Sequence, residues 1–298
     1  PGIPYYFSNT TVVNGAHLNI ASENVIKFAP NTGLTIKGKF TADAAVDEKI
    51  NFTTWYDDNT GGDSNIDGNT TSPSAGKWYG ITFDPESDDT SSIVRAEIRW
   101  TRSRGAIRTN HASPTIDNCN ISNAYYGAEF RGASAPVFTN NVIGGSDRTP
   151  VAMSFDANPT FTNNAFSTAD NEYDGIGLLG GEISQDAQII QRDFTDLPNV
   201  TYVMLSAVTV PSGLTLTIDP GVVIKTSSKY EDFTIHGTLD MQGTVEDPIV
   251  ITSIHDDNYG NPGDTRNDGT DQIPALGNVG GIYFSGTSTG SIIDQSII

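Results

Sequence analysis

Apolar and polar positions alternate in short bursts through the middle of the chain, and the bursts recur. SPTIDNCNIS (113–122), APVFTNNVIG (135–144) and NPTFTNNAFS (158–167) share one layout: Pro, a short alternating run, an Asn-centred turn and a second short run. The prolines stand at 114, 136 and 159, a spacing of 22 and then 23 residues. Ile116, Phe138 and Phe161 align, as do Ile121, Ile143 and Phe166, and Asn118, Asn140 and Asn163 hold the turn. Alternation with period two predicts strands with one buried face. A period near 22 with no helical stretch suits one coil of a β-solenoid. Stacking sets each strand ~4.8 Å from its copy, so like side chains form ladders. An Asn amide fits a ladder because it donates to one neighbour and accepts from the other. A β-sandwich also uses short strands, but gives no reason to repeat one turn residue at this spacing. Cys119 aligns with Asn141 and Asn164, which predicts a packed small residue rather than a nucleophile.

A second repeat is longer. VNGAHLNIASENVIKF (13–28) parallels VPSGLTLTIDPGVVIKT (210–226), and LTIKGKFTADAAVDEKINFTTW (34–55) parallels FTIHGTLDMQGTVEDPIVITSI (233–254). Gly15/Gly213, Lys27/Lys225, Gly38/Gly237 and Ile50/Ile249 carry the parallel, and Phe83/Phe284 extends it past a longer loop in the second copy. SSIVRAEI (91–98) matches GSIIDQSI (290–297). The expected organisation is a first module over 1–196 and the first half of a homologous one over 197–298, in one continuous solenoid. The opening Pro1-Gly2-Ile3-Pro4 and the stop at Ile298 read as a piece of a longer array.

With these patterns in place, the sequence resembles the right-handed parallel β-helix proteins of the pectate-lyase-like superfamily, and most closely the modules of large secreted bacterial surface proteins. LTIDPGVVIK (216–225), GTLDMQGTVEDPIVITS (237–253), GGIYF (280–284) and the ASPTIDNCNIS coils carry the likeness. It implies an all-β fold of ~22-residue coils with inserted Asp-rich loops. It implies little about activity, because lyases, hydrolases, tailspikes, adhesins and inert scaffolds share the architecture.

Composition narrows the partners. Against 36 acidic residues stand 16 Lys and Arg, a net charge of −20, which argues against nucleic acid and anionic membranes. No run approaches the ~20 apolar residues of a membrane span. A single cysteine forms no intramolecular disulfide framework. The expected setting is secreted or at a cell surface.

The densest acidic stretch is DDNTGGDSNIDG (57–68). Within it, DSNIDG has the D-x-N-x-D-G form that opens an EF-hand-like calcium loop, although Ser74 replaces the usual closing Glu. Asp63, Asn65 and Asp67, joined by Asp57 and Asp58, are the expected ligands. The loop recurs as HDDNYGNPGDTRNDG (255–269), with Asp256, Asp257, Asp264 and Asp268 in matching places and Arg266 where the middle ligand should stand. A solvated acidic turn is the plainer reading of either loop. Crowded carboxylates without a cation, however, repel by a few kcal/mol in total at surface dielectric. The all-oxygen set favours Ca2+ over zinc or copper.

The resemblance also directs attention to a basic side chain beside a calcium-bound acidic sugar. RAEIRWTRSRGAIR holds Arg99, Arg102, Arg104 and Arg108, with Arg131 about one coil beyond, and Trp55, Tyr56, Trp78 and Tyr79 offer stacking surfaces for polysaccharide. Alternatively Arg95, Glu97 and Arg99 line the solvated face of a strand, with Ile98 and Trp100 inside. Ile254, His255, Val279 and Gly280 occupy the aromatic positions in the second copy, so any binding face belongs to the first. A calcium-stabilised structural or adhesive scaffold is therefore expected, with polysaccharide or like modules stacked end to end as partners. A calcium-dependent lyase or a glycoside hydrolase is the competing reading.

Overall fold

The computed structural model describes residues 3–167, 171–269 and 272–298. Strands of two to six residues dominate it, and every described strand pairing between neighbours is parallel apart from one isolated bridge, Phe194 with Leu197. The one helical element among the described residues is a 3-10 turn, Pro73–Gly76. The chain forms two compact units. The first takes residues 1–130, 134–150 and 159–171; the second takes 131–133, 151–158 and 172–298.

In the first unit, a seven-stranded sheet runs in coil order through Tyr5–Phe7, Val25–Phe28, Ile50–Thr54, Ala96–Arg99, Asn120–Ala124, Val142–Ser146 and Ala165–Phe166. Its inward positions stack in register: Ile26 on Phe52, then Ile98, Ile121, Ile143 and Phe166. A six-stranded sheet stacks Ile93, Ile116, Phe138 and Phe161. Its pairs Thr115–Val137 and Val137–Thr160 reproduce the proline spacing of 22 and 23 residues. A third wall includes Thr10–Val12, Leu34–Ile36, Ile81–Phe83 and Gly105–Asn110. Sequentially adjacent strands thus lie in different walls, while strands one coil apart are neighbours. This is a parallel β-solenoid whose apolar rungs face inward. Each buried aliphatic or aromatic rung contributes roughly 1.5–3 kcal/mol.

The predicted turn residues adopt the left-handed backbone that a sharp corner needs: Asn118, Asn140 and Asn163 have φ of 53, 57 and 54°. Asn tolerates that region better than most residues. They are exposed, however, and the deep ladder lies one residue further on. Asn141 and Asn164 are fully buried. Asn164 Oδ1 accepts from the Asn141 backbone N–H and from Asn141 Nδ2, while Asn141 Oδ1 accepts from the Cys119 backbone N–H. The left-handed turn swings the following side chain inward, so the interior rung follows the turn residue.

The second unit repeats the plan, with ladders such as Ala187–Leu216–Leu239 and Val210–Ile235–Phe284. Ile293 pairs with Met241 as Ile93 pairs with Ala42. The structural equivalents of Ile93 and Arg95 are therefore Ile293 and Gln295, one position from the sequence alignment. Arg95 and Gln295 share the left-handed turn, at φ 56 and 45°.

Candidate metal centre

The acidic loop of the first unit leaves the strand Ile50–Thr54 and rejoins the solenoid at Ile81–Phe83. Its entrance is pinned by Asp57, a buried carboxylate whose Oδ2 accepts from Thr53 Oγ1 at 2.7 Å and lies 3.6 Å from Arg99 Nε. Asp63 then organises the tip by accepting the backbone N–H groups of Asp67 and Gly68. Ile66 and Gly68 take left-handed φ of 58 and 71°, which turns the chain back. The result gathers Asp58, Asp63 and Asp67, each offering a carboxylate oxygen within 4.8 Å of the others. Asn65 stands beside them and donates through Nδ2 to Asp67 Oδ2 at 2.8 Å and to Thr71 Oγ1 at 3.0 Å.

The second unit builds the same circuit from different flanking sequence. Asp256 Oδ2 accepts from Thr252 Oγ1 at 2.7 Å. Asp264 accepts the backbone N–H groups of Asp268 and Gly269. Asp257, Asp264 and Asp268 form the second cluster within 4.8 Å. Asn267 (φ 59°) reproduces the corner of Ile66, so it is Arg266 that stands in the place of Asn65. Arg266 Nε lies 3.9 Å from Asp268 Oδ2, and His255 Nδ1 lies 3.8 Å from the same oxygen. The second loop therefore has an imidazole nearby, which the all-oxygen description misses.

Asp57 and Asp256 stand outside the clusters, since each is committed to holding the loop entrance. A feature that motif reading passed over lies beneath both loops. Lys27 and Lys225 are wholly inaccessible to solvent. Lys27 Nζ donates to the carbonyls of Asp57 (2.9 Å) and Gly62 (2.5 Å), and Lys225 Nζ to that of Gly263. The signal was present in the sequence: a lysine in the apolar runs NVIKF and GVVIKT, repeated at equivalent places.

The charges perturb one another. Burial, and then Asp63 and Asp67, raise the Asp58 carboxyl above its usual range; Asp257 is raised by burial and by Asp264 and Asp268. Asp63 is lowered, chiefly by the Gly68 N–H. Burial lowers the Lys27 ammonium against the pull of Asp57, Asp58 and Asp63, and brings Lys225 down to about 8. Several carboxylate oxygens of the clustered residues are buried and make no hydrogen bond: Oδ1 of Asp58 and Asp67, Oδ1 of Asp257, and both oxygens of Asp268. Buried anionic oxygens without donors are costly, and a hard cation is the partner that suits them.

The aromatic and arginine residues divide. Trp78 is fully buried, stacked on Phe28 at 3.9 Å with Nε1 donating to Arg99 O. It is a core residue, which corrects its assignment to a sugar platform. Trp100, expected inside, is instead half-buried at a left-handed corner (φ 64°). Trp55 meets Tyr6 edge-on at 4.0 Å, and Tyr56 covers Gly76. Arg99 is engaged by Asn51, Thr60, Asp57 and Glu97, Arg102 by Asn31, and Arg108 lies 3.7 Å from Glu129. Arg131 ends a strand and falls in the second unit. Arg99 lines an open groove with Asn51, Thr60 and Gly61, and Tyr79 and Arg104 meet at another. The guanidinium sits 5.6 Å over the ring, beside Asn9, Thr10, Thr35 and Thr82, around a space of about 260 Å³.

These coils define a parallel β-solenoid protein with acidic loops. Residues 79–195 match the family model described as the right handed beta helix region. These residues are therefore a right-handed β-helix region, and the described strands before and after them follow the same parallel solenoid plan. No curated protein and no solved structure matched in the other two comparisons.

Proposed function

We propose that the protein is a calcium-stabilised structural or adhesive β-helix of tandem modules, working outside the cell at a surface. One observation carries this reading: the same loop circuit is built twice, down to the Thr–Asp entrance bond and the Asp–Gly tip. The groove is not repeated, since Gly280 stands where the first copy has Tyr79. A feature kept in both copies belongs to the architecture, and one confined to a single copy does not. Asp58, Asp63 and Asp67 would hold calcium in the first loop, and Asp257, Asp264 and Asp268 in the second. The ion would supply the positive charge that offsets repulsion among these carboxylates.

A ligand that binds only the folded chain stabilises it, by about 2.7 kcal/mol per site at a hundredfold excess over Kd. The melting temperature is therefore expected to fall by several degrees when EGTA replaces excess calcium. An unchanged melting curve, with no calcium detected by elemental analysis, would defeat the assignment.

A second reading, polysaccharide binding, is favoured by the groove of Tyr79 and Arg104, which pairs an aromatic face with a cation and hydroxyls. Loss of glycan binding in Tyr79→Ala, at unchanged melting temperature, would support an adhesive face. Unsaturated products or new reducing ends from acidic glycans would instead establish a lyase or hydrolase.

A further inference from the structure

The alternation along the strand Val25–Phe28 explains how a lysine comes to be buried. Ile26 and Phe28 point into the solenoid, so Lys27 points out from the wall. The loop 57–68 then covers it. Lys27 pairs in register with Thr53, the residue that pins Asp57, and Lys225 pairs with Thr252, which pins Asp256. Each lysine thus lies on the strand beside the loop's anchor and reaches its neck. In the first loop the ammonium joins the carbonyl of Asp57 at the entrance to that of Gly62 just before the tip. In the second it takes Gly263, the equivalent of Gly62.

These contacts are to backbone carbonyls, and no carboxylate oxygen lies within 4.0 Å of either ammonium among the described ion pairs. The lysines hold the path of the loop without taking up a carboxylate oxygen of the clusters. Removing a full charge from water costs several kcal/mol unless it is paired or hydrogen-bonded. That cost is incurred twice, at equivalent positions, where an apolar residue would pack the wall.

We infer that Lys27 and Lys225 are resident cations of the two loops: each ammonium clamps its acidic loop onto the solenoid through the loop's own carbonyls, whether or not the carboxylates hold a metal ion. The clamp is independent of the calcium reading. It makes the loop a folded strap in the metal-free protein, with the carboxylates gathered before any ion arrives.

The test uses the whole chain in EGTA. Brief treatment with an amine-acetylating reagent, read by peptide mass spectrometry, should modify Lys37, Lys39, Lys49 and Lys229 and spare Lys27 and Lys225. Amide hydrogen exchange in the same buffer should show the loops 57–68 and 255–269 protected. In Lys27→Met, protection of 57–68 should fall by an order of magnitude or more while 255–269 is unchanged, and Lys225→Met should do the reverse. Acetylation of Lys27 and Lys225 at the rate of the other lysines overturns the inference. So do loops that gain protection only with calcium, or loops that stay protected in the Met variants. If a Met variant does not fold, acetylation and exchange of the unmodified chain still decide. Calcium binding without a clamp, or a clamp without calcium binding, separates the two readings.

Discussion

At position 119 a sulfur stands in for an amide. Asn141 Nδ2 donates to Ile116 O, and the Cys119 thiol makes the equivalent long contact to Ile93 O at 3.5 Å. The ladder of Asn164 and Asn141 therefore ends in a weaker member of the same kind. Cys119→Asn is expected to extend the ladder and retain or raise stability. Asn141→Leu should cost about 2–4 kcal/mol in urea unfolding, because the buried Cys119 N–H and Ile116 O lose their partner. A loss under ~1 kcal/mol would mean that the ladder is incidental. Burial also pushes the Cys119 thiol from 9.0 up to about 12. The native thiol should therefore resist a disulfide-exchange reagent near pH 8 and react once the chain is unfolded. From about pH 9 to about 12 the unfolded chain loses this proton while the folded chain keeps it, so stability falls as pH rises. Lys225 acts in the opposite sense, since its ammonium is held down to about 8 and ordinarily ionises near 10.5. The measurement is accordingly the difference between wild type and Cys119→Ala, whose alkaline decline should be shallower. The sequence placed Cys119 correctly in a packed stack through its alignment with Asn141. It misplaced the deep ladder by one residue, because the inward swing after a left-handed turn is not visible in spacing alone.

At the scale of one loop, charge arithmetic gives a prediction with a change of sign. Asp58 is held above the usual carboxylate range by burial and by Asp63 and Asp67, so its negative charge is unwelcome in the metal-free cluster. Asp58→Asn should leave the melting temperature in EGTA unchanged or raise it, while greatly reducing the increase that calcium produces. A fall in EGTA as large as the fall in calcium would show that Asp58 is structural and holds no ion. The neighbouring strand calls for a different expectation. Trp78→Ala removes a fully buried ring stacked on Phe28 and should cost about 3–5 kcal/mol of stability, seen in unfolding rather than in ligand binding. Trp78 resembles a binding residue in the sequence because of its place in the chain. WYG follows a long polar loop, and only the folded chain reveals that residue 78 closes the loop against the wall. The repeat shows Lys27 and Lys225 as equivalent but hides their role for the complementary reason: a lysine in an outward position reads as solvated until the loop above it is in place. Spacing could supply Asp58, Asp63 and Asp67, but not what lies beneath them.

Across the whole molecule, the regular features were readable and the unique ones were not. A 22-to-23-residue period must appear as register, and Thr115–Val137 and Val137–Thr160 show it. No such repetition constrains Tyr79 and Arg104, whose groove emerges only from the fold. The charge of −20 adds a general effect that must be separated from the loops. Sodium chloride should raise stability modestly by screening self-repulsion, without a stoichiometric endpoint. Calcium should instead saturate at the two built clusters, with unequal affinity. Arg266 sets a guanidinium 3.9 Å from Asp268 Oδ2, whereas the first loop has the neutral Asn65 at that place. A fixed positive charge beside a carboxylate lowers that carboxylate's attraction for a second cation. Calorimetric titration should therefore resolve a tighter first site and a weaker second. Arg266→Asn should tighten the weaker site several-fold and bring the two together, because the variant restores the D-x-N-x-D-G order in a loop that already shares the clamp, the entrance and the tip. An unchanged second site in Arg266→Asn would place the difference elsewhere in the loop, with His255, 3.8 Å from the same oxygen, the next residue to replace.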